Sequence, residues 1–202
     1  MKKLLIATNN KGKVKELQDL LKDTGIELVT PAQINLDLEV VEDGHTYAEN
    51  ATKKAVAFAQ ASGLISLADD SGLEVDALEG APGLYSARYG SSDGQPVKLS
   101  DAERRTFLIK NLQFKPRPWT ARFHATIAVA VPNGELHLAE GFCEGEVIPE
   151  ERGTGGFGYD PIFLLSELGK TMAELSMVEK NRLSHRARAV MNAKTVLEQI
   201  FK

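Results

Sequence analysis

The stretch LLIATNNKGKVKEL, residues 4–17, contains the pattern from which the fold can be read. The apolar run predicts a buried strand over 3–7, and apolar residues at helical spacing predict a helix over 11–23. Asn9 or Asn10 stands where the N-cap of that helix is expected. A strand, a tight turn and a helix in direct succession are typical of an α/β protein.

Lysines crowd the start of this helix, where the helix dipole already contributes positive charge. Lys11, Lys13 and Lys15 are mildly unfavourable there, so an anionic ligand is expected nearby. A strand–turn–helix junction also presents free backbone N–H groups, which bind phosphate well. The spacing of a P-loop is absent. A capped surface helix with solvated lysines stays open as the alternative. The candidate phosphate-binding residues are Thr8, Asn9, Asn10, Lys11, Gly12 and Lys13.

Two adjacent acidic residues, Asp69 and Asp70, follow an apolar strand that we predict over 66–68. In α/β proteins, ligands bind at such strand ends. Successive side chains alternate along a strand, so the two carboxylates should point to opposite sides. A magnesium–phosphate site needs only one or two protein carboxylates, because phosphates and water supply the other ligands. An acidic turn is the alternative, and a second acidic pair, Glu42-Asp43, argues against it.

A glycine-rich segment, GTGGFGYD over 153–160, can approach a ligand closely because glycine has no Cβ. Phe157 and Tyr159 lie within this segment, and their rings could stack on a planar base. Glycine richness is also typical of a flexible hairpin loop, which stays open as the alternative.

The basic segment EKNRLSHR, residues 179–186, places Ser184, His185 and Arg186 in succession. Three consecutive side chains cannot share one helical face, so a joint role would put them at a helix start or a break. The adjacency of Ser184 and His185 does not define a hydrolytic triad, which depends on spatial geometry. A solvated basic helix face is the alternative.

The remaining patterns predict a mixture of helices and strands. We expect helices over 45–62, 100–113 and 178–201, a strand over 27–29 and a β-hairpin over 123–143. This mixture predicts the α/β class, with a mixed β-sheet flanked by helices. No repeat or low-complexity linker divides the chain, so we expect a single domain over residues 1–202.

Composition narrows the function classes. The chain has 202 residues, a net charge of -4 and one cysteine, Cys143. No global positive field attracts nucleic acid or anionic lipid. An internal disulfide is excluded, which fits a reducing compartment. No apolar stretch approaches the roughly 20 residues of a membrane span, and the apolar run over 4–7 is too short for a signal-peptide core. We therefore expect a cytoplasmic protein without nucleic-acid or membrane partners.

Five motifs in this order resemble the inosine/xanthosine triphosphate pyrophosphatase family. They are ATNNKGKVKEL, VVEDGHTYAENA, LADDSGLEVDAL with GAPGLYSARYG, GTGGFGYDPIF, and EKNRLSHRARA. The resemblance covers nearly the whole chain. It implies an elongated α/β fold of two lobes with a central nucleotide-binding cleft, and a homodimer. The implied activity converts ITP, dITP or XTP to the nucleoside monophosphate and pyrophosphate with Mg²⁺.

The resemblance also implies residue roles. The segment from Thr8 to Lys13 would hold the triphosphate. Asp70 would be the general base and a metal ligand, with Glu42 as a second metal ligand and Ser71 beside the substrate. The base pocket would be lined by Phe157, Gly158, Tyr159 and Asp160, and further nucleotide contacts would come from Lys180, His185 and Arg186.

The expected reaction is attack by water on the α-phosphorus, with pyrophosphate as the leaving group. Asp70 would deprotonate the water, and Lys13 would offset the charge on the leaving oxygens. His185 or Arg186 would donate to the 6-oxo group of the purine. Two other hypotheses stay open: a nucleotide-binding regulator without turnover, and a pyrophosphatase for a different damaged nucleotide.

Overall fold

A computed structural model describes residues 3–91 and 99–202. Within these ranges, seven strands form one sheet in the order β2-β1-β3-β4-β5-β6-β7. They are β1 (Lys3–Ile6), β2 (Glu27–Val29), β3 (Ile65–Val75), β4 (Trp119–Ala130), β5 (Leu136–Val147), β6 (Phe163–Leu165) and β7 (Lys170–Thr171). β1 is parallel to β2 and β3, whereas β6 is antiparallel to β5 and β7. The sheet is therefore mixed, and the predicted α/β class is confirmed.

The described part of the chain contains five α-helices, most of them begun by a polar cap. They are α1 (Lys11–Leu21), α2 (Tyr47–Ser62), α3 (Asp101–Leu112), α4 (Met177–Leu183) and α5 (His185–Ile200). The side chain of Asn10 accepts hydrogen bonds from two N–H groups of the first turn of α1, so it is the predicted cap. Among the described residues, no helix combines the length and hydropathy needed to cross a membrane.

The first of two compact units contains the acidic pair of β3. Its described residues are 3–70, 125–142 and 184–202. Leu67 packs in an apolar cluster with α1 and α5, and Ala68 packs in a second cluster with α2. Alternation along β3 continues this pattern, so Asp69 follows the face of Leu67 and Asp70 follows the face of Ala68.

The second compact unit has its own core. Its described residues are 71–91, 99–124 and 143–183. Phe123 of β4 and Phe163 of β6 contact each other with ring centroids 4.5 Å apart. Leu108 and Leu112 of α3 pack on the same cluster from the buried face of the helix. This core supports the glycine-rich loop that precedes β6.

Two predicted boundaries are corrected. The strand predicted over 66–68 runs from Ile65 to Val75, because the acidic pair is buried in β3 rather than exposed in a turn. The helix predicted over 178–201 is broken at Ser184, whose hydroxyl accepts a hydrogen bond from Ala187 N at 3.2 Å and begins α5. Ser184, His185 and Arg186 thus lie at a helix start, which is where a joint role would require them.

The predicted hairpin is also confirmed. β4 and β5 are neighbours in the sheet and are joined by a short turn. In that turn Val131 N donates to Glu135 O at 2.8 Å, and Gly134 adopts a φ of +100°. Glycine accepts this conformation without steric cost, which is why an Asn-Gly pair favours such turns.

Candidate active site

The acidic pair lies buried within β3, with its two carboxylates on opposite faces as predicted. Asp69 is 0% exposed and Asp70 is 7% exposed. Asp69 contacts residues of α1 and α5, whereas Asp70 contacts a lysine of α2. Buried carboxylates require cationic partners, and each of the two has them.

Lys54 of α2 joins three acidic positions in the first unit. Its Nζ lies 3.2 Å from Asp70 Oδ1, 3.1 Å from Glu42 Oε1 and 2.9 Å from the main-chain oxygen of Asp69. Lys54 was not predicted as a site residue. The available signal was its place on the apolar face of α2, next to Ala51 and one turn from Phe58, where a lysine is unusual.

Lys13 of α1 reaches the same strand from the other face. Its Nζ lies 2.9 Å from Asp69 Oδ2 and 3.3 Å from the main-chain oxygen of Asp69. Lys13 and Lys54 therefore contact one carbonyl oxygen, beside the Asp70 carboxylate. Lys11 and Lys15 are exposed, so of the three lysines only Lys13 joins this cluster.

The turn before α1 is organised by its own polar side chains. Asn10 Oδ1 accepts from Gly12 N at 2.9 Å and from Lys13 N at 3.1 Å. Thr8 Oγ1 accepts from Asn10 N at 3.2 Å, and Asn9 is exposed. The Asn10 side chain thus occupies two of the N–H groups that were predicted to bind phosphate.

Arg186 is buried among carboxylates. It is 1% exposed in the first turn of α5, and its guanidinium donates to Glu16 Oε2 and, at 3.1 Å, to Asp69 Oδ2. The structure thus places this guanidinium in a buried ion-pair network with carboxylates. His185 is also buried, at 4% exposure. Glu16 lies within the motif ATNNKGKVKEL but was not predicted as a site residue.

Charge and burial shift the acidities in this cluster. Burial raises the pKa of Asp70, Lys54 and Lys13 lower it, and Glu42 and Asp69 raise it again, so that the pKa lies above its usual value. Burial also raises the pKa of Asp69, but Arg186 and Lys13 outweigh it and hold that pKa far below the usual range. Burial lowers the pKa of Lys54, and the surrounding carboxylates more than reverse this. Asp70 is thus the stronger base of the pair.

The glycine-rich loop in the second unit is held by Asp160. Its Oδ2 accepts from Phe157 N at 2.8 Å and forms an ion pair with Lys180 Nζ at 2.6 Å. Lys180 Nζ also lies 5.4 Å from the centroid of the Phe157 ring, within the range of a cation–π interaction. A Cβ at Gly156 would come within 1.9 Å of Asp160 Oδ2, so this position requires glycine.

Tyr159 and Phe157 differ in accessibility, although both were predicted to line a base pocket. Tyr159 is 4% exposed, packs in the core of the second unit and donates its hydroxyl to Ser86 O at 2.9 Å. Phe157 is only half-buried. Gly158 is fixed between Asp101, which accepts from its N–H, and Arg105, which donates to its carbonyl oxygen. The loop is thus tied to α3 rather than free.

Ser71 is half-buried in β3, directly after the acidic pair.

The carboxylates near Lys54 could hold a hard cation, since oxygen ligands suit Mg²⁺. Within residues 3–91 and 99–202, no group of three or more His, Cys, Asp or Glu side chains forms a metal site. A cation at Glu42 and Asp70 would therefore take its other ligands from elsewhere.

Together, these features define an α/β protein with a dense charge cluster around β3, an interior strand of its sheet. The family profile that matches is that of the Ham1 family, over residues 4–196, and the chain belongs to this family.

The chain is 50% identical to the dITP/XTP pyrophosphatase of Desulforamulus reducens, over 98% of this chain and 97% of that protein. It is 44% identical to the dITP/XTP pyrophosphatase of Bacillus subtilis, over 98% of each. The solved structure of a HAM1 protein from Coxiella burnetii superposes with a TM-score of 0.86, at 38% identity over 98% of this chain and 100% of that one. The predicted family membership is confirmed.

Proposed function

We propose that this chain hydrolyses dITP, XTP and ITP to the nucleoside monophosphate and pyrophosphate. One observation carries the proposal: Lys13 and Lys54 converge on the main-chain oxygen of Asp69, beside the Asp70 carboxylate. Two ammonium groups next to a carboxylate of raised pKa form a suitable site for a polyphosphate and a water. The dITP/XTP pyrophosphatases among the relatives support this assignment.

Asp70 is assigned as the general base that takes a proton from the attacking water. A base works best when its pKa lies near the operating pH, and the pKa of Asp70 is raised in that direction. Asp69 is unsuited to this role, because Arg186 and Lys13 hold its pKa far below the usual range. This difference separates two adjacent carboxylates into a base and a fixed counter-ion.

Lys13 is assigned to the phosphates. It is partly accessible, with a side-chain exposure of 14%, whereas the Asp69 carboxylate that holds it is fully buried. A fixed cation stabilises the negative charge that develops on the leaving pyrophosphate. Phosphoryl-transfer sites act mainly through such positioning and charge stabilisation.

Mg²⁺ is the metal we propose for this site, and the residues present fit it. Glu42 and Asp70 both direct an oxygen to one cation, the Lys54 ammonium, at 3.1 and 3.2 Å. Two carboxylate oxygens are enough when substrate phosphates and water complete the octahedral coordination. When bound, the ion would neutralise phosphate charge and lower the pKa of its water. Glu42 and Asp70 would hold it.

For the purine, we assign the half-buried Phe157 to stacking and the buried Tyr159 to the core that supports the loop. Asp160 and Lys180 are assigned to bracing Phe157, on the contacts described above. His185 is the proposed donor to the 6-oxo group, since the guanidinium of Arg186 is engaged by carboxylates. A donor at this point accepts hypoxanthine and xanthine and rejects adenine.

Pyrophosphate release tests the function. Purified protein is supplied in parallel with dITP, XTP, ITP, GTP and ATP, with Mg²⁺ present, and phosphate is measured after coupling to inorganic pyrophosphatase. We expect turnover of the first three and much less of the last two. Tight binding without release would instead support a nucleotide-binding regulator. Preferred turnover of another nucleotide, such as dUTP, would support a different damaged substrate.

We also propose that the protein acts as a homodimer in the cytoplasm. Cys143 is a buried free cysteine, which suits a reducing compartment. Analytical ultracentrifugation at several protein concentrations tests the dimer, and a single species of monomer mass at all of them would exclude it.

A further inference from the structure

We propose that Glu16 is a positioning residue for this reaction: through Arg186 and Asp69, it holds the Lys13 ammonium in place for the triphosphate. The inference rests on the proposed function, because it assigns Lys13 to phosphate binding. Glu16 lies within α1 and is 4% exposed. A carboxylate is rarely buried to this extent without a cationic partner.

Four side chains form a ring that begins and ends on α1. Glu16 accepts a hydrogen bond from Nη1 of Arg186. Nη2 and Nε of Arg186 lie 3.1 and 3.3 Å from Oδ2 of Asp69. The same Oδ2 lies 2.9 Å from Nζ of Lys13. Lys13 and Glu16 are three residues apart on α1, so they share a helix face and the ring closes.

The ring shares one carboxylate oxygen between two cations. Oδ2 of Asp69 contacts both Arg186 and Lys13. Repulsion between these cations is strong in a buried region, where little water screens it. Glu16 supplies the second negative charge and engages Arg186 from the other side. We infer that without this charge Arg186 and Lys13 would compete for Asp69.

Three members of the ring are enclosed, and the fourth, Lys13, is partly accessible. The side chains of Asp69, Arg186 and Glu16 are 0%, 2% and 5% exposed. That of Lys13 is 14% exposed. The partly accessible Lys13 ammonium is thus held by ring members that are themselves enclosed. A fixed charge that needs no reorganisation during the reaction is what electrostatic catalysis requires.

A double-mutant cycle tests the role of Glu16. Glu16→Gln keeps the shape of the side chain and removes its charge, and we expect kcat/KM for dITP to fall about tenfold. In a Lys13→Ala background the same change should cost less than about twofold, because the residue being positioned is gone. An equal fall in both backgrounds would overturn the proposal, since Glu16 would then act independently of Lys13.

Two further variants separate charge from packing. Asp19→Asn removes a half-exposed carboxylate from the same helix, where it pairs with Lys22 at 3.1 Å, and should leave kcat/KM unchanged. Glu16→Asp retains the charge on a shorter side chain and should recover part of the activity that Glu16→Gln loses. Activity equal to that of Glu16→Gln would contradict a charge-based role. If Glu16→Gln does not fold, Glu16→Asp in both Lys13 backgrounds provides the cycle.

Calorimetry with inorganic tripolyphosphate measures phosphate binding by Lys13 and its ring without any turnover. Glu16→Gln should weaken this binding when Lys13 is present and leave it unchanged in the Lys13→Ala background. Equal weakening in both backgrounds would again contradict the proposal. If the unmodified protein hydrolyses none of the purine triphosphates, the proposed function fails. The binding cycle then still decides whether Glu16 positions Lys13.

Discussion

Both units bury lysine–aspartate pairs, but the pairs are built differently. In the first unit, Lys54 contacts Asp70, Glu42 and the main-chain oxygen of Asp69, all within 3.2 Å. In the second unit, Lys180 lies 2.6 Å from an oxygen of Asp160 that also accepts the Phe157 N–H at 2.8 Å. The first arrangement gathers two carboxylate oxygens and one main-chain oxygen around one cation, and the second ties a loop to a helix.

This difference shows that a buried ion pair alone does not indicate catalysis. Burial raises the pKa of Asp70 most, and repulsion from the neighbouring carboxylates of Glu42 and Asp69 raises it further. Such a group can accept a proton or a metal ion. Where a carboxylate also accepts a main-chain hydrogen bond, as Asp160 does, its charge stabilises the local backbone. We therefore expect substitution of Asp70 to affect rate and substitution of Asp160 to affect stability.

The largest expected effect is that of Asp70→Asn. We expect kcat for dITP hydrolysis to fall by at least about 10²-fold, because the variant loses the base. The free energy of unfolding should be unchanged or raised, since the folded state disfavours the charged form of Asp70. Pyrophosphate release and urea unfolding measure the two effects. Asp43→Asn, in an exposed pair with Lys53, is the matched control. Near-normal turnover of Asp70→Asn would remove Asp70 from the mechanism.

Asp160→Asn should show the opposite pattern. It removes the carboxylate that pairs with the buried Lys180 at 2.6 Å, and removing one member of a buried pair costs about 3–5 kcal/mol of stability. Urea unfolding measures this loss. Glu174→Gln, in a partly exposed pair with Arg152, is the control and should cost much less. A fall in kcat of folded Asp160→Asn as large as that of Asp70→Asn would erase the distinction between the units.

Phe157→Ala tests whether this side chain of the second unit contributes to nucleotide binding. Stacking of a base on an aromatic ring contributes about 1–3 kcal/mol, so we expect KM for XTP to rise about tenfold or more, with a smaller change in kcat. Steady-state kinetics with XTP separates the two parameters. Phe114→Ala removes a ring that is 90% exposed and should change neither. An unchanged KM for Phe157→Ala would exclude the stacking role.

The smallest effect concerns an exposed carboxylate in the second unit. Hydrogen bonds from Ser176 and the pair with Lys170 lower the pKa of Glu179 from 4.5 to about 2. A lowered pKa in the folded state gives stability that is present above the unfolded pKa and lost as pH falls toward the folded one. The Tm difference between the unmodified protein and Glu179→Gln should therefore shrink between about pH 5 and pH 3. A Tm difference that grows as the pH falls through this range would contradict the predicted direction.

Local patterns were sufficient for most of the elements that position the candidate site. The apolar run before Thr8, the Asn10 cap and the Asn-Gly turn each depend on neighbouring residues, and each appears in the structure as predicted. The opposite orientation of Asp69 and Asp70 also followed from strand alternation. Five motifs in order were enough to identify the family, and the Ham1 match confirms it.

Local patterns failed where distant charges decide the outcome. A sequence of two acids, a serine and a glycine predicts a turn, yet β3 continues through it because Lys13 and Lys54 neutralise the buried carboxylates. Lys54 escaped notice since a single lysine on a helix usually lies in solvent. Its role depends on the fold bringing the carboxylates of Glu42 and Asp70 to its ammonium group.

The sequence therefore determines the order of strands and helices, their caps, and the family, because hydrophobic periodicity and hydrogen bonding at chain neighbours are local. Only the folded chain decides which charges meet. Arg186 pairs with Asp69, 117 positions away, and with Glu16, 170 positions away. At such separations no spacing rule applies, and the partner is selected by burial, since a charge removed from water is stable only beside its opposite. The roles of Glu16 and Lys54 in the site arise at that level.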